Sequence, residues 1–234
     1  AAVLFSARKR GRREMIAPAR GMGAFVVRLH DLLASRGVRF DFNRTVRALD
    51  PSVPTIVATS APAAAHLLTD CAPATAAALA RVRIAPLVTV TMFFEPHRDD
   101  THGFGVLFPQ NSGVSALGVL FNADIFEGRS GVRSESWIVG NRDRELTARS
   151  DQDLAEMLAA DRRVLTGRHD VPLSWHITRW PQAIPVYDRA ISDVQLALGS
   201  LPPGIALAGN YLGRIGVAAL LSIAKEAADR VVLG

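Results

Sequence analysis

The chain has 234 residues, 49% apolar and 21% charged, a globular composition long enough for one large domain or two small ones. A single cysteine, Cys71, excludes a disulfide framework and a cysteine-built zinc site, and reads as a small packing residue. The net charge of +5 rests almost wholly on arginine, and the one dense cluster, Arg8-Lys9-Arg10-Gly11-Arg12-Arg13, has no aromatic residue within it, so it reads as a solvated segment and no nucleic-acid partner is expected.

No apolar run is long enough to span a membrane and no signal peptide opens the chain, so a cytoplasmic protein is expected. The chain starts at Ala1 in ordinary sequence, which leads us to expect a fragment. Residues 1–20 have no clear period. Gly21-Met22-Gly23 opens a helix with Met22, Val26, Leu29 and Leu33 on one face, and Gly37 is placed to end it as a left-handed cap. This Gly-x-Gly lacks a preceding strand and a third glycine, so it is not a dinucleotide signature. Val38, Phe40 and Phe42 alternate with Arg39 and Asp41 and predict a strand. Thr45 to Leu49 predicts a second, broken by Pro51 and Pro54.

Thr55 to Thr59 is a short apolar strand, after which Ser60 can cap a helix carrying Pro62 in its first turn. The alanine-rich stretch from 61 to about 80 is interrupted by Pro73. Leu87 to Phe94 carries the strongest strand signal. The loop His97-Arg98-Asp99-Asp100-Thr101-His102 invites a metal reading, but its spacing fits no helix or hairpin face, so a solvated loop and no metal are expected. Phe104 to Phe108 and Ser115 to Phe121 form a predicted hairpin, and Ser136 to Val139 a further strand. Ser150-x-x-Asp153 is a capping box opening a helix with Leu154, Met157, Leu158 and Leu165 inward, ended by Gly167. Trp175 to Trp180 is extended. Pro181 and Pro185 then hold an irregular stretch, a helix runs from Asp188 to about Leu198, and Pro202-Pro203-Gly204 is a sharp break.

Ala206 to Val217 reads as a short apolar strand, a turn with glycines at 209, 213 and 216, and the first turn of a long helix. A helix N-terminus beside a glycine-rich turn suits a phosphate or an electron-rich ring edge; a plain strand–turn–helix connection fits equally, since neither phosphate-loop fingerprint is matched. The last helix is expected to bury Val217, Leu220, Leu221, Ala224, Ala228 and Val231, with Glu226 and Arg230 paired on the other face. The carboxylates fall on predicted exposed faces and no catalytic constellation is present, so any chemistry belongs to a cofactor. The fold class is α/β with mixed α+β character.

Seven stretches, in order, resemble the C-terminal part of a flavin-dependent protoporphyrinogen oxidase within the flavin-containing amine oxidases. They are Gly21–Ala24, Asn43–Val46, Val57–Thr59, Gly103–Pro109, Leu117–Phe121, Trp180–Tyr187 and Gly209–Gly213. The resemblance implies a partial FAD-binding layer, 1–60 with 200–234, which includes the first substrate-domain helix. It implies a substrate-binding domain with a mixed or antiparallel sheet and helices, 61–199. It also implies FAD contacts at Val46, Trp180, Gly209, Asn210, Ile215, Gly216 and Val217, and a tetrapyrrole between Phe104, Leu107 and Ile138. By residue type alone, Phe104, Leu107, Ile138 and Trp180 fit ordinary core packing as well. A peripheral membrane contact and a homodimer are further expectations. The family's N-terminal Gly-x-Gly-x-x-Gly is missing, Pro51 to Pro54 stands in place of a hairpin, and Arg214 stands where a small residue is usual. The implied activity is oxidation of protoporphyrinogen to protoporphyrin by a C-terminal fragment or degenerate member, inactive in isolation. The alternatives are a non-catalytic domain for a planar hydrophobic ligand, or an amine oxidase or desaturase.

Overall fold

The computed structural model describes residues 3–4, 17–98, 100–126, 128, 131–140 and 144–233; the arginine cluster at 8–13 and Asp99 of the acidic loop lie outside them. The chain order is β1 (Val3–Leu4), α1 (Met22–Ser35), β2 (Thr55–Val57), α2 (Ala61–Leu67), α3 (Pro73–Ala80) and β3 (Ile84–Phe94). Next come β4 (Gly105–Leu107), β5 (Gly118–Phe121), α4 (Asn122–Ile125), β6 (Arg133–Gly140), α5 (Arg144–Ala148) and α6 (Asp151–Thr166). The last elements are β7 (Ser174–Pro185), α7 (Arg189–Ala197), β8 (Ile205–Leu207) and α8 (Val217–Leu233). They form two compact units, Ala1–Phe42 with Pro86–Pro181, and Asn43–Ala85 with Gln182–Gly234. This is a different division from 1–60 with 200–234 against 61–199, because α2, α3 and α7 share one core with β2 and β8.

The first unit is built on a six-stranded sheet ordered β1-β4-β5-β6-β3-β7. Alternation along β3 sends Val88, Val90, Met92 and Phe94 to one face, where they pack with Val119, Phe121, Trp137 and Val139 and with Leu154, Ala155 and Leu158 of α6. The capping box holds: Ser150 Oγ accepts the Asp153 N–H at 3.1 Å, and Gly167 closes α6 at φ 71°. The predicted hairpin is present as antiparallel β4 and β5.

Several expectations fail for identifiable reasons. Val38 to Phe42 is not a strand. It has no partner strand among the described residues, and Phe40 instead packs on His30 of α1 with ring centroids 4.4 Å apart. Thr45 to Leu49 is likewise irregular. The face predicted on α1 exists, and Gly37 at φ 87° follows the helix as expected, but α1 buries no residue. The stretch with Pro181 and Pro185 continues β7 rather than breaking it. That strand is the last in the sheet order, and an edge tolerates residues without an N–H.

The carboxylates expected on exposed faces are partly interior. Glu135 of β6 is 2% exposed and accepts from Arg162 Nε at 3.1 Å and from the Trp137 indole at 3.2 Å. Arg133 Nε lies 3.5 Å from the other Glu135 oxygen. Arg162 continues to Asp170 at 2.7 Å, Asp170 to Arg168 at 2.8 Å, and Arg168 to Asp100 at 2.7 Å. Arg133 continues to Asp124 and to the Thr101 carbonyl. The loop at 97–102 is therefore not simply solvated: Asp100 is anchored inward, and Asp124 fixes the loop's end through His102 and the Gly103 N–H at 2.8 Å. Among the described residues no cluster suited to a metal ion occurs.

The second unit pairs β2 with β8 in parallel, Val57 opposite Leu207. Pro73 divides the alanine-rich stretch into α2 and α3 as expected. Helix α8 packs on β8 and β2, but through Ile223 and Ala227 rather than the predicted face; Val217 and Leu221 are exposed. Arg230 donates to the carbonyls of Ile205 and Leu201, so Glu226 pairs with Arg214 instead.

Two outcomes follow. Arg162→Ala leaves Glu135 buried without its main counter-charge and lowers unfolding free energy by about 3–5 kcal/mol, read by urea denaturation. Burial alone would raise the Asp124 carboxyl, but bonds from Gly103 and His102 and the charge of Arg133 outweigh it and hold it below the usual range. The stability it confers is complete above about pH 4 and is lost as pH falls through that lowered value. Melting temperature against pH drops less steeply on the acid side for Asp124→Asn than for the unmodified chain.

Candidate functional site

In the second unit the two parallel strands end side by side, and the Ala208 N–H donates to the Val57 carbonyl at 2.9 Å. The residues that follow each strand therefore emerge together. They line a cavity of about 490 Å³ formed by Ala58, Thr59, Ser60 and Ala61 after β2, by Ala208, Gly209 and Asn210 after β8, by Ile84, by Gln182, Ala183 and Pro185 of β7, and by Leu220 and Ala224 of α8. The carboxyl ends of parallel strands are where open α/β sheets accept ligands.

The turn after β8 is fixed from several sides. A Cβ on Gly209 would lie 2.3 Å from the Tyr211 ring, so only glycine lets that ring tuck beneath the turn. Tyr187 Oη donates to the Asn210 carbonyl at 2.8 Å, and Gln195 Nε2 donates to the Leu212 carbonyl at 3.0 Å. Burial pushes the Tyr211 hydroxyl up to about 12. Gly213 and Gly216 take φ 88° and 95°, which reverses the chain into α8. Arg214 grips Glu226 through both guanidinium nitrogens, tying the turn to the helix it precedes.

Of the residues expected at FAD, Gly209 and Asn210 line this cavity. Ile215, Gly216 and Val217 lie on the same turn but are exposed and outside the lining. Val46, 55% exposed, lies on the irregular segment before β2 and does not line it. Thr59, Ser60, Gln182 and Leu220 were missed. For Thr59 and Ser60 the signal was available, since polar residues directly follow a buried strand; Ser60 was read as a helix cap, yet its side chain makes no capping bond.

The first unit holds a second place. On the sheet face opposite α6, the registers set Leu107, Gly118, Ile138 and Thr89 in one row across four strands. Trp180 of β7 extends the row, donating its indole N–H to Thr89 Oγ1 at 3.3 Å. Gly118 has no side chain, so it leaves a notch between Leu107 and Ile138, and Phe104 closes one end of an apolar pocket of about 360 Å³. All three residues expected against a tetrapyrrole, Phe104, Leu107 and Ile138, line this pocket. Trp180, expected at FAD, stands on the same sheet face.

A strand-end cavity on a parallel pair in one unit, and a larger antiparallel sheet in the other, define a chain built on the fold of FAD-dependent oxidoreductases. It belongs to the flavin containing amine oxidoreductase family, which residues 1–232 match. It is 32% identical over 165 residues to protoporphyrinogen oxidase 2 of Arabidopsis thaliana, covering 66% of this chain and 32% of that protein. It is 31% identical over 180 residues to coproporphyrinogen III oxidase of Mycobacterium tuberculosis, covering 76% and 40%. In fold it is similar to a redesigned putrescine oxidase, with TM-score 0.68 at 12% identity over 92% of this chain and 54% of that one. The chain spans about a third of the length of the first plant relatives it matches. Among the described residues no helix is long and apolar enough to cross a membrane.

The notch is set by backbone proximity. A Cβ at Gly118 would lie 2.7 Å from the Val106 carbonyl oxygen and 3.0 Å from Leu107 Cδ2. Gly118→Ala is therefore overpacked and lowers stability by about 1–3 kcal/mol, measured by chemical denaturation.

Proposed function

We propose that this chain supplies the substrate-facing sheet and the flavin-edge turn of an FAD-dependent oxidoreductase that oxidises a protoporphyrinogen-type tetrapyrrole. The observation that carries the reading is the row Leu107–Gly118–Ile138–Thr89–Trp180, a flat strip with an apolar notch near one end and an indole at the other. A broad apolar strip suits the pyrrole rings of such a macrocycle, puckered as the porphyrinogen and planar as the porphyrin product, which gain affinity by burying their faces against apolar and aromatic groups. The names of the matched relatives support the same class of substrate.

FAD, when bound, would supply the acceptor for the three hydrides lost in this six-electron oxidation, one at a time, with an external oxidant such as dioxygen restoring it between steps. The strand-end cavity fits part of that group. Gly209 and Asn210 present backbone at its wall, and the turn leading into α8 brings the unpaired N–H groups of a 17-residue helix close by. That N-terminus favours negative charge, so it would stabilise the electron-rich edge of a reduced ring. Tyr187 and Gln195 hold the turn in register by bonding its carbonyls. The apolar notch keeps water from the face of the macrocycle, and the Thr89 hydroxyl helps orient it. The pyrophosphate of FAD needs a glycine-rich loop that these 234 residues do not contain, so full binding calls for a further segment.

The test is the gene product purified at the full length the cell makes. It carries flavin absorbance and converts protoporphyrinogen IX to fluorescent protoporphyrin IX, faster with added FAD if some cofactor has been lost. A product with no flavin absorbance that gains none on adding FAD overturns the reading.

A further inference from the structure

The open face of the first unit's sheet carries a second row beside the apolar one. Register sets Leu120, Ser136 and Thr91 opposite one another, two residues along from Gly118, Ile138 and Thr89. Ser136 Oγ lies 2.9 Å from Thr91 Oγ1 and accepts from Asn122 Nδ2 at 2.8 Å. Thr89 Oγ1 accepts the Trp180 indole N–H. The protons can be counted. Ser136 and Thr91 bring two hydroxyl protons to a single mutual bond, so one is left over whichever oxygen donates. Thr89 uses a lone pair for the indole, so its own proton is also left over. Thr89 and Thr91 stand two residues apart on one strand, which puts their hydroxyls on the same face about 7 Å apart.

The two rows thus offer surplus hydrogen-bond donors and hold no carboxylate. We infer that this hydroxyl cluster selects ligands whose flat apolar ring carries acceptor groups, carboxylate above all. The ring lies over the Gly118 notch and the Trp180 indole, and its acceptor-bearing edge meets Thr89, Thr91 and Ser136. An ammonium group brings donors alone, so it can use only the oxygens' remaining lone pairs, leaves the surplus protons unmet and finds no anion to pair with. The inference rests on the tetrapyrrole reading above and narrows it. It assigns the choice between carboxylate-bearing rings and amines, within a family that contains oxidases of both, to three side chains.

The test compares two porphyrins of similar ring size by the shift of their main absorption band: protoporphyrin IX, which bears two carboxylates, and etioporphyrin, which bears none. The chain binds both, and protoporphyrin more tightly. The variant Thr91→Val/Ser136→Ala keeps side-chain volume nearly constant and removes the two mutually bonded hydroxyls, leaving Thr89 to hold the Trp180 indole. It weakens protoporphyrin binding about tenfold or more and leaves etioporphyrin binding within twofold. Thr89→Ser/Thr91→Ser retains the hydroxyls and restores the preference. Equal weakening for both porphyrins, or none for protoporphyrin, overturns the role of the hydroxyls while leaving the macrocycle reading standing. Failure of the unmodified chain to bind either porphyrin overturns both.

Discussion

The first unit depends on one carboxylate. Glu135 sits in the middle of a strand, on the face that otherwise carries Trp137 and Val139, and it is inside. A lone buried carboxylate would cost several kcal/mol, and it is tolerated here because an arginine and an indole N–H meet it directly, with a second arginine close by. The arginines are themselves packed on rings, Arg162 over Phe94 at 3.8 Å and Arg133 over Phe121 at 4.9 Å. The chain of charges then runs out to two loops and fixes both. The apolar core on this face is therefore threaded by ions, while the opposite face carries the apolar notch at Gly118.

That division of labour explains the sheet's composition. Residues pointing to the α6 side are large and apolar or charged and paired. Those pointing away mix the apolar Leu107, Leu120 and Ile138 with hydroxyls at Thr89, Thr91 and Ser136 and with the bare backbone of Gly118. Strand alternation enforces the separation, since neighbouring residues cannot share a face. A one-residue slip in register would put Trp137 beside the Gly118 notch and Ile138 in the core.

Much of this was legible in the sequence where local chemistry decides. The capping box at Ser150, the left-handed glycines at 37 and 167, and the hairpin between Phe104 and Phe121 follow from rules spanning a few residues. Phe104, Leu107 and Ile138, expected against a tetrapyrrole by resemblance alone, are brought into one pocket by the structure. What was not legible depends on distant partners. Nothing near Glu135 in the sequence announces Arg162, and nothing near Asp100 announces Arg168. The apolar face read on α8 was wrong because Leu220 and Leu221 outweigh Ile223 and Ala227 in any hydrophobicity pattern, yet the smaller stripe is the one that meets β8 and β2. Likewise the alternation at Val38 to Phe42 describes a strand only if another strand is there to pair with it.

The prolines of β7 have a consequence for how the protein behaves in a crowded solution. An edge strand ordinarily displays a row of amide hydrogens that a neighbouring chain can pair with. At Pro181 and Pro185 those hydrogens do not exist, so β7 has two fewer to offer than another strand of its length. The residues that looked like a break in the fold thus lie on its last strand, the one position in a sheet where a missing hydrogen costs least.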